Sequence, residues 1–200
     1  MTVIVTNKTV LPPVSKGEVL RYAACPCDGE IAFPKCPKIA SAVCYTTLSV
    51  SVCDGVCDFG LFKIKSKQLS KNLEGCKNAV VFAATVGIDF DREIAKYTRV
   101  SPSRALLVSA MGTERVEALC DAFVNEYEEN NGVKLRPRFS PGYGDLPLEA
   151  QRDIFLLLEP AKRVGITLGE SLLMTPTKSV TAFAGIELGE KYGFQRIFKE

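Results

Sequence analysis

The 200 residues hold 25 lysines and arginines against 23 aspartates and glutamates, a net charge of +2. Such a balance gives no field that would recruit nucleic acid or an anionic membrane. The apolar share of 46% and charged share of 24% are those of an ordinary globular chain, long enough for one substantial core or two small ones. Histidine is absent, which excludes Ser-His-Asp and Cys-His catalysis and every histidine metal ligand within these residues. No apolar run approaches the length of a membrane span, and the start MTVIVTNKTV lacks the basic and apolar regions of a signal peptide. A cytoplasmic location is therefore expected.

Six of the eight cysteines (25, 27, 36, 44, 53 and 57) precede residue 60, in the spacings CPC and CDGVC; the others are Cys76 and Cys120. In a reducing compartment a disulfide scaffold is not expected. An iron–sulfur or zinc site competes with a plainer reading of small buried thiols, and the lack of paired C-x₂-C knuckles favours the latter.

Along the chain, Ser15-Lys-Gly-Glu18 reads as a capping box that starts a short helix through Val19, Leu20 and Tyr22. Residues 25–40 are broken by Pro26, Pro34 and Pro37 and read as loop. From Ala42 β-branched and aromatic residues dominate, and Asp54-Gly55 between two such runs predicts a hairpin. NAVVFAATVG (78–87) is apolar enough to be a central strand. Asp89 is expected to cap a helix through Ile94 and Tyr97, with Asp91 and Glu93 near its positive end. Ser101-Pro102 opens a second helix with a capping hydroxyl and a first-turn proline. Its stripe is Leu107, Met111, Val116, Leu119, Cys120, Phe123 and Tyr127, with Gly112 a weak point and NNG (130–132) its end. Residues 147–160 read as an amphipathic helix with proline at each end, and SLLM and KSVTAFAGIEL as strands around Thr175-Pro176. The pattern implies an α+β fold, one domain over 1–200, with a mainly antiparallel sheet.

The segment RPRFSPGYGDLP (136–147) is chemically unusual. Pro137, Pro141 and Pro147 fix φ and remove amide donors, so the strip is stiff and its remaining backbone groups need partners or a ligand. Gly142 and Gly144 permit close backbone approach beside Tyr143. Arg138 offers a planar fork for a carboxylate or phosphate. On chemistry alone two readings stand: a rigid connector between helices with Arg138 solvated, or a binding strip for a flat, zwitterionic small molecule.

Arg138-Phe-Ser-Pro141-Gly142-Tyr143-Gly-Asp-Leu-Pro147 resembles the R-x-x-P-G-Y-x-x-x-P signature of the S-adenosylmethionine-binding activation domain of cobalamin-dependent methionine synthase. The resemblance runs on through LLLEPAKRVGITLGESLLMTPTKSVTAFAG (156–185). Upstream, AATVG and MGTERVEALCDAF are similar to forms of this domain that occur as separate proteins. It covers residues 79–185; residues 1–75 are placed in the family by order alone.

That resemblance implies a C-shaped α+β domain with a curved antiparallel sheet and flanking helices, S-adenosylmethionine lying along the inner face. It implies capping of a cobalamin oxidised to cob(II)alamin, with an electron from flavodoxin or a similar donor and the methyl of S-adenosylmethionine restoring methylcobalamin. Arg138 would grip the α-carboxylate, as an exposed side chain. The backbone of Phe139, Ser140, Pro141 and Gly142 would meet the adenosine and amino groups, and Tyr143, the one residue placed at the reaction, would face the sulfonium or the corrin. Glu117 aligns with a helix glutamate suited to the ammonium, although a solvated helix face fits it equally. Tyr192 falls where fused enzymes place a ligand-contacting tyrosine, and Lys178-Ser179 would shape the strand beside the pocket. Asp145-Leu146 departs from the family's Ala-Cys, an N-terminal aspartate of the fused enzymes has no placed counterpart, and the terminal cysteine cluster of separate-protein forms is missing. Arg136 lies outside the motif.

The leading expectation is thus an accessory subunit. It would present S-adenosylmethionine to a corrinoid held on another protein, a cobalamin-binding methionine synthase subunit or related corrinoid protein, without turnover alone and with no metal of its own. The alternatives are a non-catalytic binding module for another corrinoid methyltransferase, or a metal protein using cysteines 25–57.

Overall fold

The computed structural model describes residues 2–6, 9–25 and 32–187. In chain order the elements are β1 (Ile4–Thr6), α1 (Lys16–Tyr22), β2 (Ala42–Ser49), β3 (Ser51–Cys53), β4 (Val56–Asp58), β5 (Lys63–Lys65), α2 (Lys67–Leu73) and β6 (Asn78–Thr85). There follow α3 (Asp89–Thr98), α4 (Pro102–Asn131), β7 (Lys134–Leu135), α5 (Ala150–Leu158), α6 (Pro160–Val164), β8 (Thr167–Leu168), β9 (Met174–Thr175) and β10 (Ser179–Glu187).

The expected central strand is central. β6 pairs with β2 on one side and β10 on the other, within a five-stranded sheet ordered β1-β2-β6-β10-β7, and every pairing is antiparallel. Seven of its eight residues are buried because both faces are covered, and the period of two divides them between two cores. Val80, Phe82 and Ala84 face the layer of α1, α3 and α4, which contributes Val19, Phe90, Met111 and Phe123. Ala79, Val81 and Ala83 face the layer of α2, α5 and the β3-β4-β5 meander, which contributes Leu69, Ile154, Cys57 and Ile64. Phe82 meets Phe123 at 5.0 Å between ring centroids, and Phe183 stacks on Phe59 at 5.1 Å. The fold is α+β with a mainly antiparallel sheet and flanking helices.

The Asp54-Gly55 signal holds: Cys53 pairs with Val56, and both turn residues have positive φ, 48° and 77°, as the favoured hairpin turn requires. The capping box is half made. Ser15 Oγ accepts the Glu18 amide at 3.4 Å, but Glu18 pairs with Arg21, and the Ser15 amide donates instead to Glu114 of α4 at 3.1 Å.

Other local expectations are corrected. Asp89 is not a cap: Ile88 holds that position, and Asp89, the first helical residue, pairs with Arg92. Asp91 accepts the Thr177 amide at 2.8 Å and so ties α3 to the start of β10. Ser101 precedes α4 without a side-chain cap bond. Gly112 is no weak point. The 30-residue helix runs straight through it to Gly132, whose φ of 61° closes the end, and a Cβ at 112 would sit 2.8 Å from both Lys178 Cγ and Phe90 Cδ1. The glycine is there for close approach. The helix expected over 147–160 is shorter: turns occupy its first residues, and Glu159, at φ 46°, separates α5 from α6. Of SLLM only Met174 is in a strand, pairing with Leu168 in a two-stranded ribbon. Among the described residues no helix is long and apolar enough to cross a membrane.

Candidate functional site

The stiff strip is the edge of the main sheet. β7 pairs with the far end of β10 through Leu135 and Ile186. The chain then stays on that edge: Arg136 donates its amide to Gly185 O at 2.8 Å, and Phe139 and Phe183 exchange both of their backbone bonds at 2.8 and 2.9 Å. The backbone groups expected to need partners thus find them on β10 at Arg136 and Phe139. Proline at 137 suits this position, since an edge strand has one side with no ladder to feed. Asn72 Nδ2 also donates to Pro137 O at 3.1 Å.

Beyond Phe139 the strip leaves β10 in a turn, with Tyr143 N on Ser140 O and Gly142 N on Leu146 O. Phe183 points its peptide groups at the strip, so Thr181, two residues back, presents its own in the same direction. There the strip has turned away, and a groove of about 710 Å³ opens, floored by Ser179, Val180 and Thr181. Val124, Leu135 and Met174 supply apolar wall, and Tyr143, 70% exposed, stands at the rim. Gln151 at the start of α5 also lines the groove; it is 6% exposed, and its Oε1 is buried with no hydrogen-bond partner.

The polar pole of the groove is Arg138. Its side chain is only 21% exposed, not the free surface arginine expected. Nη2 donates to Glu117 Oε2 at 3.1 Å and to Asp121 Oδ1 at 2.6 Å. Glu117 and Asp121 stand one turn apart on α4, hence on the same helix face. Burial opposes the guanidinium charge, but Cys120, Glu117 and Asp121 around it leave the Arg138 pKa raised. Beneath the ion pairs, burial pushes the Cys120 thiol up to about 12. A fixed cation and two carboxylates thus sit side by side on one wall.

Asp145, the departure from the family loop, does structural work. Its carboxylate accepts Ser66 Oγ at 2.5 Å and the amides of Lys67 and Gln68 at 2.7 and 3.1 Å. It thereby satisfies orphan donors of the first turn of α2, and those bonds, led by Ser66, hold its pKa below the usual carboxylate range. Gly144 lies against this contact: its φ is 55°, and a Cβ would fall 1.9 Å from Gln68 Oε1.

The structure brings Arg138, Phe139, Ser140, Pro141, Tyr143 and Glu117 to one groove. Gly142 shapes the turn through its bond to Leu146 and is not part of the wall. Tyr192 lies outside the described residues. Ser179 Oγ donates to Pro176 O and Thr85 Oγ1, bracing the floor, while Lys178 Nζ bonds Ser109 and Thr113 on α4. Asp121, Gln151, Thr181 and Arg136 were not anticipated. Asp121 alone had a sequence signal, four residues after Glu117 on a helix. Arg136 also lines the groove, with Nη1 donating to Asn72 O at 3.0 Å.

A second hollow, about 480 Å³ between residues 34–38, α3 and the start of α4, is lined in part by charges already engaged: Asp89 with Arg92, and Arg104 over the Tyr97 ring. The C-x₃-C cysteines do not converge. Cys57 is buried on β4 opposite Val52, whereas Cys53 is exposed. Burial also raises the Cys57 and Cys36 thiols and pushes Cys44 to about 11. Among the described residues no group of three His, Cys, Asp or Glu is arranged to hold a metal.

Comparison with known proteins agrees with this geometry. A solved structure titled "Crystal Structure of the MetH Reactivation Domain bound to AdoHcy" superposes with a TM-score of 0.60 at 16% sequence identity, over 78% of this chain and 61% of that one. At that identity the likeness shows the fold, and this chain spans about three fifths of the other's length. No curated protein matches the chain. The family described as "Vitamin B12 dependent methionine synthase, activation domain" matches residues 69–197. With well over half of its length so matched, the chain belongs to the family of the vitamin B12 dependent methionine synthase activation domain.

Proposed function

We propose that the groove binds S-adenosylmethionine and presents its methyl group to a corrinoid carried on a separate domain or protein, so as to return an oxidised cobalamin to its methylated form. The observation that carries the reading is Arg138 beside Glu117 in a groove with apolar walls. A guanidinium and a carboxylate at hydrogen-bonding distance mirror the α-carboxylate and α-ammonium of a methionine moiety. The unpaired Gln151 Oε1 and the backbone of Thr181 offer acceptors and donors of the kind an adenosine needs.

In this reading Arg138 anchors the carboxylate and Glu117 the ammonium, while the 139–141 backbone lies along the nucleoside. Tyr192 is assigned a ligand contact on the family resemblance alone. Tyr143 at the rim covers the sulfonium on the side where the partner docks. A corrinoid on the partner, once reduced by a flavodoxin-like donor, would supply the nucleophile for the methyl group, with the carbon–sulfur bond electrons staying on the sulfur of S-adenosylhomocysteine. No proton moves in that step, so the chain needs no acid or base; its contribution is position and exclusion of water. With no histidine, these residues cannot supply an imidazole ligand to cobalt.

Calorimetric titration with S-adenosylmethionine and S-adenosylhomocysteine tests the first half: both should bind the purified chain. A methylation assay with a corrinoid protein and reductant tests the second, with transfer only when that protein is present. Failure of both ligands to bind, or turnover by the chain alone, overturns the proposal.

A further inference from the structure

We infer that Asp121 occupies the place of the ligand's carboxylate on Arg138 and so sets how tightly the groove holds amino-acid-bearing nucleosides. This rests on the groove taking S-adenosylmethionine or its product. A guanidinium offers a carboxylate two forks, one formed by Nε with Nη2 and the other by Nη1 with Nη2. Both forks need Nη2. That nitrogen carries two hydrogens, and here it is taken twice, by Glu117 at 3.1 Å and by Asp121 at 2.6 Å. A ligand carboxylate cannot make its two-pronged contact until one of them withdraws.

Exposure decides which. The Asp121 side chain is 68% exposed and that of Glu117 38%, so Asp121 can swing into water and recover its hydration while Glu117 stays against the wall. The charges agree. Arg138 with both carboxylates sums to −1; without Asp121 it leaves one cation and one anion, the complement of a zwitterion. Asp121 is therefore a built-in competitor. It loosens every ligand that carries a carboxylate, the product S-adenosylhomocysteine included, and leaves contacts along the nucleoside untouched.

The test compares two ligands on the full chain. S-adenosylhomocysteine carries the carboxylate; 5′-methylthioadenosine keeps the nucleoside and thioether but lacks it. Asp121→Asn, with Asp121→Ser as a second variant should the first alter folding, is expected to bind S-adenosylhomocysteine about three- to fivefold more tightly, the scale of an exposed ion pair. Its affinity for 5′-methylthioadenosine should match that of the unsubstituted chain. Unchanged or weaker S-adenosylhomocysteine binding, or an equal change for both ligands, overturns the inference while leaving the functional reading intact. If the unsubstituted chain and both variants bind neither ligand, the functional reading fails and the inference falls with it.

Discussion

Two arginines meet carboxylates of the same helix, and they end in opposite roles. Arg115 is 2% exposed; Nε and Nη2 hold the Glu114 carboxylate, Nη1 donates to Pro12 O, and Nη2 also reaches Pro13 O at 3.2 Å. Every nitrogen is engaged, and Glu114 spends its remaining capacity on the Ser15 amide. This pair clamps the N-terminal segment to α4 and has nothing left for a ligand. Arg138 directs both of its carboxylate bonds from one nitrogen, into one partner that is partly exposed and one that is mostly exposed. The difference is one of saturation. A buried charge with all donors satisfied is structure, and a partly satisfied one on a groove wall is a place where something can bind.

Substitution should separate the two roles. The largest expected effect is on stability. Arg115→Met strands the Glu114 charge and two proline carbonyls in the interior and should cost about 3–5 kcal/mol, read as a lower urea midpoint, while the fraction still folded binds ligand normally. Next comes affinity. Hydrogen bonds to charged groups are worth about 1.5–3 kcal/mol, so Arg138→Ala should weaken S-adenosylmethionine about ten- to a hundredfold by calorimetry, with a far smaller loss of stability than Arg115→Met. Arg138→Lys should restore only part, because an ammonium has no fork. Equal stability losses at the two positions, with ligand affinity untouched at 138, would erase the contrast.

The smallest effect concerns Asp145, which anchors the site loop to α2 without touching the groove wall. Its folded pKa is depressed, chiefly by Ser66, so its contribution is present above the unfolded value of about 3.9. That contribution is lost as pH falls through the folded value. Asp145→Asn should lower the melting temperature slightly at neutral pH, and the gap between the two proteins should close as the solution is acidified below about pH 4. A gap that persists in acid would place the effect in packing rather than in the carboxylate.

Features written in short stretches were readable from the sequence. β6 announced itself by an unbroken apolar run, the β3-β4 turn by Asp54-Gly55, and α4 by the stripe ending at Tyr127 and Gly132. Five of the groove residues sit in one motif, and Glu117 followed by similarity. What escaped depends on residues distant in sequence. The strip reads as a loop because its partner is Phe183, 44 positions from Phe139. Glu114 replaces Glu18 as the partner of the Ser15 amide from 99 positions away. Gly112 looked like a flaw because Lys178 and Phe90 cross it only in three dimensions. Gln151 carries no local mark at all; only its lodging under the groove leaves the oxygen without a partner.

The proline strip has a consequence for the company the protein keeps. Residues 136–139 form the outer row of the described five-stranded sheet, and an outer row is where strands of neighbouring molecules add on and aggregation begins. Of these four residues, 136 and 139 spend their amides on β10, and 137 has none. Arg138 alone keeps an amide outside those bonds, and its side chain is charged. Incoming strands find no ladder to extend. The features that keep a groove open at this margin of the sheet therefore also deny residues 136–139 to an incoming strand.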